Sequence, residues 1–186
     1  NKKDKKLLEK DFLTEGKLLI AYGGSTRTAS VIEGLKKIKP YNPKLVLIHD
    51  GARPLIDNRI INNLVYTLSI QNAVIPVLKI TDTIKKLEKG RIIKTINRED
   101  KYVTQTPQGF KFDNIYDLYL KNTNLNFADD AELLEYYGKN ISTIEGSRKN
   151  IKLTYPDDFK DIENYIKMNT VTKVGLGFDV HKFTKG

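Results

Sequence analysis

His49-Asp50-Gly51-Ala52-Arg53-Pro54 places a carboxylate, a glycine and a guanidinium directly after the apolar run Leu45-Val46-Leu47-Ile48. In such a loop Asp50 can orient a hydroxyl or a hydrated metal ion, Arg53 can clamp a phosphate with its fork of donors, and Gly51 leaves room for a sugar. An Asp50–Arg53 ion pair that only holds the loop fits the same residues equally well. Gly23-Gly24-Ser25-Thr26-Arg27 sits between an apolar run and a helical pattern. Glycines there allow close backbone approach, and a helix N-terminus offers N–H donors to anionic groups. The run matches neither the dinucleotide fingerprint nor the phosphate loop of ATPases, and a plain turn is the alternative. Asp179 and His181 share one face of an extended segment. A carboxylate and an imidazole suit zinc or another divalent metal, but two ligands do not close a site, and a surface hydrogen-bonded pair is the plainer reading.

The remaining polar candidates are scattered. Asp82-Thr83-Ile84-Lys85 and Arg98 flank a polar, β-branched stretch, and Thr104-Gln105-Thr106-Pro107-Gln108 lies outside regular patterns. Asp129 and Asp130 read as helix N-terminal charges favoured by the dipole. Lys152, in Asn150-Ile151-Lys152-Leu153-Thr154, falls at a strand end; as an arbitrary lysine it would be surface.

Apolar periodicity supplies the elements that must position these groups. It predicts helices over 2–13, 29–38, 58–70, 112–121, 129–137 and 156–168, and strands over 18–22, 45–48, 73–77 and 141–144. Lys39-Pro40 stops the second helix, and Pro156 opens the last where its missing N–H costs little. Alternating strands and helices predict an α/β fold with a doubly wound, mostly parallel sheet. The continuous apolar strand 45–48 predicts a sheet covered on both faces. Lys79 to Ile96, with Lys89-Gly90 at its centre, reads as a projecting hairpin. The Asp50 loop then lies at a strand's carboxyl end, where open α/β sheets bind ligands.

Composition narrows the classes. At 186 residues the chain suits one α/β domain plus a fragment. It has no cysteine, hence neither disulfides nor thiolate chemistry, which fits a reducing, cytoplasmic setting. No apolar run approaches the roughly 20 residues that span a bilayer, and no signal peptide is read. The net charge of +9 favours anionic partners. The interleaved aromatic and basic pattern of a nucleic-acid binder is missing, which leaves nucleotides or phosphorylated metabolites.

The motifs taken in order carry a stronger signal. HDGARP, DTIKK, Arg98, TQTPQ, DDA and EG-x-x-x-NIKLT-x-PDD together resemble, from Leu18 to Met168, the 2-C-methyl-D-erythritol 4-phosphate cytidylyltransferases. The closing GFDVHKF is similar to the opening of 2-C-methyl-D-erythritol 2,4-cyclodiphosphate synthase, which follows the transferase in some bacterial fusions. The resemblance implies a transferase domain over 1–168 with an arm at about 79–98, a linker at 169–170, and an opening strand of the second enzyme over 171–186. It implies a nucleotidyltransferase, Rossmann-like fold, CTP and methylerythritol phosphate as substrates, Mg²⁺ with the CTP, and zinc or another divalent metal at Asp179 and His181. It implies a homodimer through the arm, and no nucleic-acid or membrane partner. Its residues map as follows: Gly24, Ser25 and Ser30 to the cytosine base, Asp50, Gly51 and Arg53 to the ribose and methylerythritol phosphate, and Thr106 to a substrate contact. Thr83 and Arg98 map to the arm's reach into a neighbouring subunit, and Lys152 to the lysine that holds CTP phosphate. Lys152, Asp50 and Arg53 are therefore the expected catalytic groups. Ser25 stands where many members have aspartate and Ala128 where threonine is common, so contacts there differ. A ribitol 5-phosphate cytidylyltransferase and a non-catalytic nucleotide-binding domain are the rival readings; the cyclodiphosphate synthase opening favours the isoprenoid enzyme.

The resemblance also implies a glycine-rich loop with an arginine and a lysine that cradles CTP phosphates, and no such segment precedes Gly23. The chain therefore reads as a piece of a longer protein. The 186 residues by themselves are expected to give little or no transfer, and incubation with CTP and methylerythritol phosphate, followed by pyrophosphate release, checks this.

Overall fold

The computed structural model describes residues 19–169. They fall into two compact units that divide between Ile151 and Lys152. In the first, helix α1 (Arg27–Ile38) begins at Thr26, whose hydroxyl accepts the Ala29 N–H, and ends in a short 3₁₀ turn over Lys39–Tyr41. Strand β1 (Leu45–Ile48) leads through the Asp50 loop to α2 (Asn58–Ile70), capped by Asp57. Then come β2 (Ala73–Lys79), a hairpin of β3 (Ile84–Glu88) and β4 (Arg91–Ile96), and β5 (Tyr102–Thr104). β6 (Gln108–Lys111), α3 (Phe112–Lys121), α4 (Asp130–Tyr136) and β7 (Ser142–Glu145) complete the unit.

The sheet is mixed, which corrects the expectation of mostly parallel pairing. β6 lies between β1 and β2, antiparallel to both. β5 extends the same edge of β2 antiparallel to it, and among the described residues only β7 pairs in parallel, along β2. β1, β2 and β7 nevertheless run in one direction, as the strand–helix rhythm requires. The crossover β1–α2–β2 leaves a gap one strand wide, and β6 enters it from the opposite end. Periodicity reports the crossover but not what fills the gap.

Both faces of the sheet are covered, as the apolar run of β1 predicts. Val46 and Ile48 pack on the side of Ile32, Leu35, Phe112, Ile115 and Leu133. Leu45 and Leu47 turn to the side of Ile60, Leu64 and Leu68, which recur at helical spacing on α2 and are fully buried. Each such side chain removes enough apolar surface from water to contribute about 1.5–3 kcal/mol. Gly109 in β6 sets the spacing of that layer. A Cβ there would lie 2.8 Å from Leu68 Cδ1 and 3.0 Å from Leu47 Cδ2.

The hairpin pairs as expected, Ile84 with Ile96 through Glu88 with Arg91, as a separate two-stranded sheet. Lys89 and Gly90 both take positive φ, 48° and 78°, as a two-residue primed turn requires. Lys79 belongs to β2, so the paired arm is shorter than the sequence reading. Leu87, Ile92 and Ile93 are exposed on it. The strand expected over 18–22 is corrected for its described part. Residues 19–22 lie in no strand, because apolar composition favours burial but a strand exists only where its N–H and C=O groups find a ladder. The helix expected over 2–13 lies outside the described residues.

The second unit contains α5 (Pro156–Asn169), begun by Pro156 as expected. Asp158 accepts the N–H groups of Tyr155 and Thr154 at 2.7 and 2.6 Å, which holds its carboxyl below the usual range. Asn169 is the last helical residue, whereas Thr170, Asp179 and His181 lie outside the described residues.

The Gly109 slot generates a stability prediction. Gly109→Ala overpacks the α2 layer and should cost about 1–3 kcal/mol, read as a lower urea midpoint at unchanged slope.

Candidate active site

The Asp50 loop forms because β1 ends at Ile48 and the next helix cannot begin before its cap, Asp57. The Arg53 N–H closes a turn on Asp50 O at 3.0 Å. The Asp50 N–H donates to Thr106 Oγ1 at 3.0 Å, and the His49 ring bonds both Thr106 Oγ1 and the Arg53 carbonyl. Arg53 Nη1 donates to Asn150 O at 2.7 Å. The structure thus brings Asp50, Gly51, Arg53 and Thr106 together, as the sequence reading requires. Burial depresses the Arg53 guanidinium below its ordinary pKa, and the charge of Asp50 opposes that shift. Arg53 remains a cation at physiological pH.

Thr106 belongs to a segment in which the chain leaves the ladder. Thr104 pairs with Val77 and Gly109 with Val74, so this strand holds two residues more than its partner. Side-chain amides tie this segment to the loops around it. Asn150 Nδ2, fully buried, donates to Thr106 O at 2.8 Å. Gln105 exchanges two hydrogen bonds with Ser147, at 2.9 and 3.0 Å, and Gly146 must stay glycine because a Cβ would meet Gln105 Oε1 at 2.4 Å. Gln108 donates to Asp129 Oδ2 and accepts the Ala131 N–H. Arg53 Nε and Asn150 Oδ1, a donor and an acceptor, are buried without hydrogen-bond partners among the described residues.

Gly24 and Ser30 meet at the start of α1. Ser30 Oγ accepts the Gly24 N–H at 3.1 Å and donates to Thr26 O at 2.9 Å. A Cβ on Gly24 would lie 2.4 Å from Ala29 Cβ, so this glycine admits the first turn of α1 itself. Ser25 is exposed. Arg27, which the sequence reading passed over, makes two bonds to Asp130, at 3.1 and 2.5 Å, and Tyr119 OH donates to the same carboxylate. Asp129 caps α4 and Asp130 lies in its first turn, as their reading as helix N-terminal charges expects, and Asp130 is fully buried there. Burial lowers the Arg27 pKa, but the bond to Asp130 and its charge outweigh that and hold it above the ordinary value. Burial, reinforced by Asp130, pushes the Tyr119 phenol up. The charge of Asp50 opposes the burial shift of Arg53 and adds the smallest of the pulls that raise Arg27.

Thr83 and Arg98 stand at the foot of the hairpin, where Arg98 Nη1 donates to Thr81 O. Among the described residues neither bonds to the Asp50 loop. A cavity of about 410 Å³ opens there, lined by Lys79, Ile80, Thr81, Asn97, Arg98 and Glu99. Lys152 opens the second unit.

A mixed α/β sheet with helices on its faces and a polar loop at one strand end is the fold of a nucleotidyltransferase. Residues 1–168 match the family profile of 2-C-methyl-D-erythritol 4-phosphate cytidylyltransferase, and the chain belongs to that family. A bifunctional enzyme IspD/IspF of Gluconobacter oxydans is 41% identical over 166 residues, covering 88% of this chain and 42% of the relative. That of Bartonella tribocorum is 39% identical over 177 residues, covering 91% and 44%. The chain thus spans less than half the length of these relatives. The 4-diphosphocytidyl-2C-methyl-D-erythritol synthase structure from Anaerococcus prevotii aligns with TM-score 0.81 at 31% identity, over 90% of this chain and 78% of that one. The bifunctional IspDF structure from Campylobacter jejuni aligns with TM-score 0.69 at 27% identity, over 84% and 39%.

The buried phenol generates a pH prediction. Unfolded tyrosine ionises near pH 10, while folded Tyr119 holds its proton to higher pH. Its contribution to stability is complete below pH 10 and is lost as pH rises beyond, because the unfolded chain then releases a proton that the folded one keeps. Tyr119→Phe should cost about 1.5–3 kcal/mol at neutral pH through the lost bond to Asp130. It should also flatten the alkaline decline in denaturation midpoint.

Proposed function

We propose that this chain provides a site that transfers CMP from CTP to 2-C-methyl-D-erythritol 4-phosphate, giving 4-diphosphocytidyl-2-C-methyl-D-erythritol and pyrophosphate. The observation that carries the reading is the Asp50 loop at a strand's carboxyl end, tied through Asp50 to Thr106 and through Arg53 to Asn150, in a member of this family. A phosphate oxygen of the alditol phosphate attacks the α-phosphorus of CTP in line, and pyrophosphate leaves. Such a reaction needs positioning and charge neutralisation more than covalent help.

In this reading Arg53, fixed by Asn150, and Lys152 bind phosphate oxygens, while Asp50 and Gly51 receive the ribose. The turn at Gly24, Ser25 and Ser30 takes the cytosine. Thr83 and Arg98 act across a homodimer, an arrangement that suits the exposed Leu87, Ile92 and Ile93 of the hairpin. Among the described residues no group of three or more His, Cys, Asp or Glu side chains could cage a metal. Mg²⁺ arriving on the nucleotide phosphates with its own waters would offset charge there, and Asp50 is the carboxylate that could orient it. No helix among the described residues is long and apolar enough to cross a membrane. The full-length protein would add cyclodiphosphate synthase activity, with Asp179 and His181 among its metal ligands.

Pyrophosphate release by the full-length protein, with CTP and either methylerythritol 4-phosphate or ribitol 5-phosphate, tests the assignment. Turnover of the first alone is expected, and Arg53→Met should lower kcat/KM by about 100-fold or more, as loss of a charge-assisted phosphate contact does. Preference for ribitol 5-phosphate, or no nucleotidyl transfer, overturns it.

A further inference from the structure

His49 belongs to the loop, yet none of the roles above uses its ring. The residue is exposed, but both ring nitrogens are engaged. Nε2 lies 2.9 Å from the Arg53 carbonyl oxygen and Nδ1 lies 3.1 Å from Thr106 Oγ1. A carbonyl oxygen can only accept, so a neutral ring carries its hydrogen on Nε2 and leaves Nδ1 as an acceptor. The Thr106 hydroxyl must then donate to Nδ1, while its lone pair takes the Asp50 N–H at 3.0 Å. Donor and acceptor alternate consistently from Asp50 through Thr106 to His49 and on to Arg53. The far end of this chain is firmly seated, because Thr106 is only 5% exposed and its carbonyl receives the buried Asn150 amide.

Two consequences follow for the reaction. The hydrogen of Thr106 is committed to the imidazole and is not available to a substrate phosphate, so Thr106 acts on the substrate through the loop it braces. And the loop, which carries Asp50 and Arg53 on few residues, is held at both ends by one ring.

We propose that His49 is a positioning residue for the transfer reaction: its Nδ1 fixes the Thr106 hydroxyl, and through it the backbone that presents Asp50 and Arg53. This inference rests on the reading of the loop as the transferase site. The two ring nitrogens can be separated by isosteres. The Oδ1 of asparagine takes roughly the place of Nδ1, whereas the Nε2 of glutamine takes that of the imidazole Nε2. In the full-length protein, His49→Asn should keep kcat/KM within about threefold of wild type, and His49→Gln should lose about tenfold, the worth of one hydrogen bond. Thr106→Val should lose a similar factor, and the double variant His49→Gln/Thr106→Val should be no worse than Thr106→Val alone. Equal losses in the two His49 variants, or additive losses in the double variant, overturn the proposal. A variant that folds poorly is recognised by its melting temperature, and Thr106→Ser, which keeps the hydroxyl, then serves against Thr106→Val in its place. A wild-type protein with no CMP transfer sinks the transferase reading instead. Nitrogen NMR of the imidazole tests the bonding without any turnover: an Nε2–H ring is expected, and an Nδ1–H ring overturns the inference.

Discussion

A fully buried carboxylate is the constraint around which the first unit is assembled. Asp130 has no solvent, so its charge must be met inside the protein, and Arg27 and Tyr119 meet it. Arg27 comes from the start of α1, Tyr119 from α3 and Asp130 from α4. One electrostatic requirement therefore fixes the mutual positions of three helices on the same face of the sheet. The charge of Asp50 adds the smallest of the pulls on the Arg27 guanidinium.

The site itself is held by amides and hydroxyls. Where the strand carries two residues more than its partner, the backbone leaves the ladder: Asn150 meets the Thr106 carbonyl, and the segment's own Gln105 and Gln108 side chains bond the backbone of Ser147 and Ala131. These side chains are buried, so the bonds they make hold in essentially one geometry. The charged groups ride on that frame. Such an arrangement suits a reaction that depends on where oxygen atoms are held.

Much of this was legible in the sequence, for particular reasons. The helices 58–70 and 112–121 begin and end where predicted, because apolar spacing is a local signal. The hairpin was legible because Lys89-Gly90 meets a backbone requirement that few residue pairs satisfy. The direction of the sheet was not, since β6 reaches the gap between β1 and β2 only after the hairpin intervenes. Among site residues, Asp50, Arg53 and Thr106 were found by their motifs and do converge. Arg27, Asn150 and the buried state of Asp130 were missed, because their roles exist only through partners distant in sequence, 103 residues apart for Arg27 and Asp130. An aspartate beyond the cap residue, beside a run of alanine and leucines, was the one available hint.

The hairpin has a consequence of a different kind. Two strands with Leu87, Ile92 and Ile93 turned outward have little stability of their own. Opening this element is therefore a low-energy local event, whereas opening α2 requires the core to come apart. Any contact that buried those three side chains would add its free energy to the pairing of the strands, so this is where binding and folding would be thermodynamically linked.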